Sequence, residues 1–427
     1  MVAILRGNII EARTLGELHI TPNGYLVMED GAIQGVFASL PARYAGAAVT
    51  DYGDRLILQA FCDMHLHAPQ YPMLGLGMDL PLLDWLSTYT FPMEARFADL
   101  KYAQAQYGDL AKQLIDNGTT RACVFSSIHC DATLTLMAEL EQAGVCGYVG
   151  KVNMDRNGGV NYEETTEGSK SETLRWLDKC GTFQHIKPIL TPRFTPTCTD
   201  GLMAWLGELA KARGLYVQSH LSENTQEIQW VKQLHPDCRQ YWESYAKFGL
   251  FCDHTIMAHC VYSDAREQEA MRERNVFIAH CPDSNINICS GLVPVREMLD
   301  RGLWVGLGSD IAGGAQLPMM RVMTAAIRMS KAQRIDTNWE TPFLTVAEAY
   351  YLGTTAGAKY FGAGAGFAPG DMLHAIVVDD GDFPSAQGLT LQERFERAIY
   401  LAQAHNLVAV YSQGRLVKGG KAKTAAG

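Results

Sequence analysis

Short apolar runs alternate with longer amphipathic segments through the middle of the chain. The runs, each typical of a buried β-strand, cover residues 56–65, 121–126, 147–153, 186–191, 215–220, 255–260, 276–281 and 304–310. Between them, apolar residues recur at helical spacing, as in 100–115, 201–213 and 264–274. Strands separated by helices favour parallel pairing with right-handed crossovers, and eight of them predict a closed (β/α)8 barrel of the TIM type. A doubly wound open sheet is the competing architecture.

The two ends of the chain follow a different pattern of short strands and tight turns. Near the amino terminus, residues 25–28 and 33–37 flank Asp30-Gly31, a dipeptide typical of a hairpin turn. Near the carboxyl terminus, residues 374–378 and 407–411 are again short and apolar. Both ends therefore resemble β-structure more than the alternating middle does.

This contrast predicts the domain organisation. Residues 1–55 together with 368–427 should form a small β-rich domain, and residues 56–367 should form the barrel. The Gly/Ala/Lys-rich tail at 418–427 is expected to be frayed.

Charge and hydropathy exclude several classes of partner. The net charge is -10 and no run of Lys or Arg stands out, so we expect no nucleic-acid partner. No apolar stretch approaches the ~20 residues of a membrane helix, and the apolar start of the chain is too short for a signal peptide. The 11 cysteines are odd in number, scattered and never spaced Cys-x-x-Cys, which indicates free thiols in a reducing compartment. A cytoplasmic protein without a membrane partner is predicted.

Metal-binding residue types stand where the apolar runs end. In a barrel, the carboxyl ends of the strands carry the active site. The residues at these ends are His65, His67, His220, His259, His280 and Asp310. Side chains two apart on a strand share a face, so His65 and His67 can reach one ion. Several imidazoles with one carboxylate suit Zn²⁺ and leave a position for a reacting water, although ligand type alone leaves iron open.

Several motifs carry a resemblance to a known family. Those containing the candidate metal ligands are FCDMHLH (61–67), HLSE (220–223), AHC (258–260) and GSD (308–310). They resemble the motif set of the amidohydrolase superfamily. More narrowly, the chain is similar to the guanine deaminase family over nearly its whole length. The more specific stretches are APQ (68–70), PLLDWL (81–86), YTFPME (89–94), KVNMDR (151–156) and TPRF (191–194).

One departure from the family pattern lies just before the first histidine pair. Residues 58–61 read LQAF, where the family more often has Pro-Gly before its Asp-x-His-x-His. The expected turn geometry is thereby loosened, but the ligands remain in place.

The resemblance implies a metal site held by His65, His67, His220 and Asp310, with zinc as the cofactor. Relatives with two metal ions use a carboxylated lysine at the end of strand four as a bridge. Here that strand ends in TPR (191–193), and the nearest lysine stands near its start. One ion per chain is therefore expected.

The resemblance also gives roles to three catalytic residues. Glu223 is the proton shuttle, with a helix-start carboxylate as its structural alternative. Asp310 accepts a proton from the water as well as approaching the ion, unless it only closes the barrel. His259 stabilises the tetrahedral centre or orients the water, although a role behind the ligands is almost equally well supported. His280 receives no catalytic role and is interpreted as a hydrogen-bonded structural residue.

Substrate recognition is assigned from the same resemblance. Gln70 offers a donor and an acceptor, Arg193 is a permanent donor suited to the O6 carbonyl, and Phe194 stacks or packs on the base. Trp85 and Leu83 line the pocket, although a packed amphipathic helix explains them equally well. Without the resemblance, Arg193 would be read as an ion-pair residue and Phe194 as a core residue.

The predicted reaction is the hydrolysis of guanine to xanthine and ammonia, and the family expectation is a homodimer. The nearest alternative is a related deaminase or hydrolase acting on a pterin, a triazine or another purine. From a different class, an inactive barrel acting as a binding or scaffold protein is the other alternative.

Overall fold

The computed structural model describes residues 1–159 and 161–419. The strands, in chain order, are β1 (Val2–Thr14), β2 (Glu17–Glu29), β3 (Ala32–Phe37), β4 (Ala48–Gln59), β5 (Phe61–His67), β6 (Thr119–Phe125), β7 (Cys146–Gly150), β8 (Val152–Asn153), β9 (Ile186–Pro188), β10 (Thr191–Pro192), β11 (Gln218–Leu221), β12 (Ile256–His259), β13 (Phe277–His280), β14 (Trp304–Leu307), β15 (Ala375–Val378), β16 (Leu407–Ser412) and β17 (Arg415–Lys418). Most of the tail expected to be frayed lies outside the described residues, from 420 onward.

Most of the helices connect the strands of the middle region, singly or in groups. In chain order they are α1 (Leu82–Trp85), α2 (Phe91–Ala95), α3 (Leu100–Asp116), α4 (Cys130–Ala143), α5 (Thr166–Cys180), α6 (Asp200–Arg213), α7 (Thr225–Leu234), α8 (Glu243–Ala246), α9 (Ala265–Glu273), α10 (Pro282–Asn287), α11 (Val295–Asp300), α12 (Met319–Asp336), α13 (Val346–Gly353), α14 (Thr355–Tyr360) and α15 (Leu391–Leu401). A π-helix, Leu86–Thr90, joins α1 to α2.

The three helices predicted from amphipathic spacing are confirmed as α3, α6 and α9. Each begins directly after a side chain that accepts hydrogen bonds from the first turn. These capping residues are Asp99, Thr199 and Asp264. Such caps satisfy backbone N–H groups that have no partner within the helix, which is why the boundaries follow the sequence signals closely.

Both ends of the chain contribute to one seven-stranded sheet with the order β17-β16-β15-β4-β1-β2-β3. The predicted hairpin is confirmed as β2 and β3, joined through Asp30 and Gly31. These two residues have φ angles of 50° and 86°, the left-handed conformation that a two-residue hairpin turn requires. The carboxyl-terminal part also contains α15, a helix that the prediction of a β-rich end omitted.

The middle region is mixed α/β with parallel strands. Two four-stranded parallel sheets have the orders β5-β6-β7-β9 and β11-β12-β13-β14. Backbone hydrogen bonds connect the two sheets to each other at both of their edges. The amide of Leu190 donates to Tyr216 (2.9 Å) on one side, and the amide of Asp310 donates to the carbonyl of His65 (2.8 Å) on the other. The eight strand positions therefore neighbour one another in chain order.

The first predicted run, 56–65, is divided in the structure. Residues up to Gln59 belong to β4 and pair with β15 in the seven-stranded sheet, whereas β5 begins at Phe61 and pairs with β6. The predicted boundary at residue 56 therefore falls inside a strand of the end-derived sheet. Residues 56–59 of β4 and all of β5 are buried, so the burial pattern does not show where the chain changes sheets.

The cysteines and the helices bear on two expectations from the sequence, namely free thiols and the absence of a membrane helix. All the cysteines are free thiols, as predicted. Among the described helices, none has the length and hydropathy needed to cross a membrane.

Candidate active site

Three imidazoles meet at the carboxyl ends of the parallel strands. His65 and His67 lie on one face of β5, because side chains two apart on a strand point the same way, and His220 lies on β11. One ring nitrogen from each of the three lies within 4.8 Å of the others. The two Nε2 atoms of His67 and His220 are 3.1 Å apart. These side chains are buried, and they can hold a metal ion.

Asp310 adds a carboxylate to this cluster from the segment after β14. Its Oδ1 atom lies 3.2 Å from Nε2 of His65 and 3.5 Å from Nε2 of His67. Its Oδ2 atom accepts a hydrogen bond from Ser284 (2.5 Å), which fixes the carboxylate plane. His65, His259 and Asp310 form a second set of groups within 4.8 Å of one another. The predicted ligands therefore converge.

Hydrogen bonds orient two of these rings. Nδ1 of His220 lies 2.6 Å from the backbone carbonyl of Arg193, and Nδ1 of His259 lies 2.9 Å from the amide oxygen of Asn285. Because both partners are acceptors, the Nδ1 atoms donate and the Nε2 atoms present lone pairs to the cluster. Neither ring nitrogen of His65 has a hydrogen-bond partner among the described residues. Buried, unpartnered nitrogens beside a carboxylate fit a bound cation.

The protonation of the imidazoles agrees with this role. Burial lowers the pKa of His65, His67 and His220 well below its usual value, and the neighbouring imidazoles and Arg193 lower it further. The rings are therefore neutral at physiological pH. A neutral imidazole is the form that donates a lone pair to a metal ion.

Glu223 stands beside the cluster, in the loop between β11 and α7. Its Oε2 atom lies 3.5 Å from Nε2 of His259, and its Oε1 atom accepts a hydrogen bond from Ser290 (3.1 Å). Burial raises the pKa of Glu223 to about 8, and the charge of Asp310 raises it as well. A carboxyl group with a pKa near neutrality can both take and return a proton.

The backbone is strained at several of these strand ends. Ser222, His259, Cys260 and Asp310 have φ angles of 50°, 73°, 54° and 48°. Residues with a side chain adopt this left-handed region rarely and at a cost of about 1–3 kcal/mol each. The surrounding core must hold them there, and the effect is to turn the side chains inward over the ends of the strands.

The cluster opens into a cavity. Its walls include Gln70, Trp85, Arg193 and Phe194, four of the five predicted substrate-binding residues. Leu83, the fifth, is not among the residues that line the cavity. Leu82, three residues before Trp85, and Leu86, four residues after Leu82, line the cavity instead.

Three polar side chains form a connected unit at one edge of the cavity. Both terminal nitrogens of Arg193 donate to the carboxylate of Glu94, at 2.5 and 3.0 Å. Gln70 donates from Nε2 to the same carboxylate (2.8 Å), and its Oε1 atom accepts from the amide of Ala312 (3.1 Å). The three side chains are buried, and their mutual bonds fix how Gln70 and Arg193 face the cavity.

His280 differs from its interpretation as a hydrogen-bonded structural residue. It lies on β13 and is buried, but neither ring nitrogen has a hydrogen-bond partner among the described residues. Burial lowers the pKa of His280 to about 3, so the ring is neutral. The sequence places it at a strand end correctly but cannot show whether a partner faces it.

Four residues that were not predicted hold predicted site residues in place by hydrogen bonds. Glu94 holds Arg193, Ser284 holds Asp310, Asn285 holds His259 and Ser290 holds Glu223. Ser284, Asn285 and Ser290 all lie in the short polar stretch that follows β13, at the carboxyl end of a strand that faces the site. Their position in the sequence therefore indicates that they lie near the site. Glu94 stands within the stretch YTFPME, but nothing in its spacing indicates a partner so distant in the chain.

Comparisons with known proteins agree with this geometry. The chain matches the amidohydrolase family over residues 56–417. A guanine deaminase of Dictyostelium discoideum is 35% identical, over 98% of this chain and 98% of that protein. A guanine deaminase of Mus musculus is 38% identical, over 83% of this chain and 81% of that protein. A solved structure of guanine deaminase from C. acetobutylicum, with bound guanine in its active site, has a TM-score of 0.95 and 41% identity, over 97% of this chain and 100% of that chain.

Proposed function

The chain belongs to the amidohydrolase family, and from this premise we propose that it hydrolyses guanine to xanthine and ammonia. The activity is that of a hydrolase acting on a C–N bond of a cyclic amidine. The observation that carries the proposal is the convergence of metal ligands, Glu223 and the polar edge of Gln70 and Arg193 on one cavity. A complete site of this kind argues against an inactive binding or scaffold protein.

His65, His67, His220 and Asp310 would hold one Zn²⁺ ion, since their donor atoms suit that ion. When bound, the ion supplies a water molecule whose pKa is lowered to about 7. The described lysines near the strands support a single ion. Lys187 lies at the amino end of its strand, and Lys151 is buried in an ion pair with Glu164 (2.7 Å). Neither is placed to bridge a second ion.

Glu223 would move the protons of the reaction. The water attacks C2 of the base, one proton passes through Glu223 to N3, and the 2-amino group leaves as ammonia after receiving another. Asp310 provides a second acceptor for the water's proton. His259, with its Nδ1 hydrogen directed to Asn285, offers a lone pair that orients the water. The geometry thus favours orientation over donation for this residue.

Gln70 and Arg193, at the polar edge of the cavity, would recognise the base by hydrogen bonds. Two of the five N–H donors of Arg193 are engaged by Glu94, which leaves others for the O6 carbonyl. Gln70 retains one amide hydrogen and one oxygen lone pair for the ring edge. Phe194 and Trp85 line the same cavity and supply apolar surface for the ring faces.

A substrate panel tests the function directly. We expect kcat/KM for guanine to exceed that for adenine by at least about 10⁴-fold, because buried groups placed for O6 and the 2-amino group lose their partners with adenine. Cytosine and pterin serve as further comparisons, each followed by its loss of ultraviolet absorbance. Faster turnover of pterin than of guanine would assign the chain to the related deaminases instead.

Removing the charge of Glu94 should damage both stability and recognition. In Glu94→Gln, the buried guanidinium of Arg193 loses its counter-ion, and we expect a loss of about 3–5 kcal/mol in the free energy of unfolding. The KM for guanine should rise because Gln70 and Arg193 are no longer fixed. Urea denaturation and steady-state kinetics measure the two effects.

Glu172→Gln provides the matched control for this change. Glu172 pairs with Arg175 at 2.6 Å, but both side chains are more than a third exposed, so the expected cost is at most about 1 kcal/mol. Equal losses in the two variants would contradict the role of Glu94.

The proposal extends to the architecture and the assembly. The backbone bonds across both gaps between the parallel sheets support closure into a (β/α)8 barrel carrying a small β-rich domain built from both chain ends. We also propose a cytoplasmic location and a homodimer, because the family leads us to expect both. Sedimentation equilibrium showing a monomer at micromolar concentration would contradict the dimer.

A further inference from the structure

A second cavity lies at the opposite, amino-terminal ends of the parallel strands. Its volume is about 340 Å³, and parts of the segment 361–374 line it. Its walls include the cationic side chains of Arg121 and Lys187 and the imidazole of His185. None of these groups has a part in the deamination site.

Strand geometry brings these side chains together. Arg121 stands two residues before Cys123, and Lys187 two residues before Ile189. Cys123 and Ile189 are fully buried in the core enclosed by the strands. Because residues two apart on a strand share a face, Arg121 and Lys187 point to the same side, nearer the amino-terminal opening. β6, β7 and β9 are consecutive neighbours, so Arg121 and Lys187 lie two strands apart in the same sheet.

Positive charge predominates among the side chains that line this cavity. Within residues 1–159 and 161–419, no carboxylate oxygen lies within 4.0 Å of a side-chain nitrogen of Arg121, His185 or Lys187. The carboxylate of Glu141 accepts a hydrogen bond from the backbone amide of His185 (2.6 Å). The lining contains one carboxyl group, Asp371, whose Oδ2 atom accepts a hydrogen bond from the amide of Gly364 (2.7 Å). A concave surface on which one sign of charge predominates attracts counter-ions.

His374 provides an independent indication of a ligand. It lines the same cavity and is only 4% exposed, yet its Nε2 atom has no hydrogen-bond partner among the described residues. Its Nδ1 atom lies 2.9 Å from the hydroxyl of Thr120. When this hydroxyl donates to Nδ1, the ring hydrogen sits on Nε2 and lacks an acceptor. Buried donors of this kind are costly unless something accepts from them.

We propose that this cavity binds a tetrahedral oxyanion of the phosphate class, either inorganic phosphate or the phosphate group of a phosphorylated metabolite. Arg121 supplies a planar fork of donors, Lys187 a point charge and His374 a neutral N–H donor. A phosphate group offers several acceptor oxygens to these three donors, whereas a carboxylate offers only two.

Calorimetric titration with inorganic phosphate tests the proposal, using the full chain and its variants. Lys187→Gln changes an exposed side chain and leaves folding intact, and Arg121→Gln removes the fork. Each should weaken phosphate binding about tenfold, the value of one charge-assisted hydrogen bond. Lys211→Gln, an exposed cation on α6 outside the cavity, is the matched control and should bind like the wild type. A parallel titration with ribose 5-phosphate distinguishes a phosphate ester from the free ion.

Phosphate also stabilises proteins without binding a site, because it is excluded from their surfaces. Such an effect would be the same in all variants and would give no saturable heat. Equal binding by Lys187→Gln, Arg121→Gln and Lys211→Gln, or no saturable heat with either probe, would overturn the proposal. Guanine turnover should change less than about twofold in the three variants, so failure of this site is distinguishable from failure of the proposed activity.

Discussion

Glu223→Gln is expected to lower kcat for guanine by about 10²–10⁴-fold, the range typical of a lost general acid–base group. The amide keeps the shape of the side chain and can still meet Ser290, but it cannot take a proton from water or return one. Because Glu223 is not among the proposed metal ligands, the metal content should stay close to that of the wild type. Single-turnover kinetics and elemental analysis on the same preparation measure both quantities.

Glu267→Gln is the matched control for this experiment. Glu267 is as buried as Glu223, at 3% against 4% exposure, and burial likewise raises its pKa, to about 7. It accepts a hydrogen bond from Ser263 and does not line the cavity. Loss of this carboxyl should leave kcat within a few-fold of the wild type. If both variants lost activity equally, or if Glu223→Gln kept it, Glu223 would have no proton-transfer role.

Strand periodicity places the candidate metal ligands at strand ends, and the family resemblance selects four of the six metal-binding residue types there as the ligands. His65 and His67 lie two apart on one strand, and His220 and Asp310 stand where later strands end. Parallel strands bring all these ends to one side of the sheet. A pattern in the sequence therefore determines which side chains lie close together. For the same reason, the order of the strands and the main helices followed the apolar spacing.

Other features depend on contacts that no local pattern records. Glu94 pairs with Arg193 across 99 residues of chain, and the bond exists only once α2 packs over the strand ends. The choice between Leu82 and Leu83 depends on the rotation of a four-residue helix, which the apolar residues on both sides leave undetermined. The passage from β4 to β5 at Ala60 is hidden because residues 56–59 of β4 and all of β5 are buried. Each case required the packing of distant segments.

Removal of the metal should abolish turnover, with a fall on the order of 10⁴-fold or more, because free water has a pKa near 15.7 and is a poor nucleophile at neutral pH. Dialysis against a chelator, followed by a guanine assay, measures the loss. Addition of about one equivalent of Zn²⁺ per chain should restore activity. Burial keeps the rings of His65, His67 and His220 neutral, and neutral imidazoles keep their lone pairs available, so we expect the apo chain to rebind the ion.

His220→Ala separates metal-site chemistry from inhibition by the chelator itself. His220 is held by the carbonyl of Arg193, so its loss removes one ligand while His65, His67 and Asp310 keep their places. We expect weaker zinc binding and a matching loss of kcat. His129→Ala is a suitable control, since this histidine lies outside the cluster and the cavity. Two tightly bound ions per wild-type chain, or full activity after complete zinc removal, would contradict the single-ion mechanism.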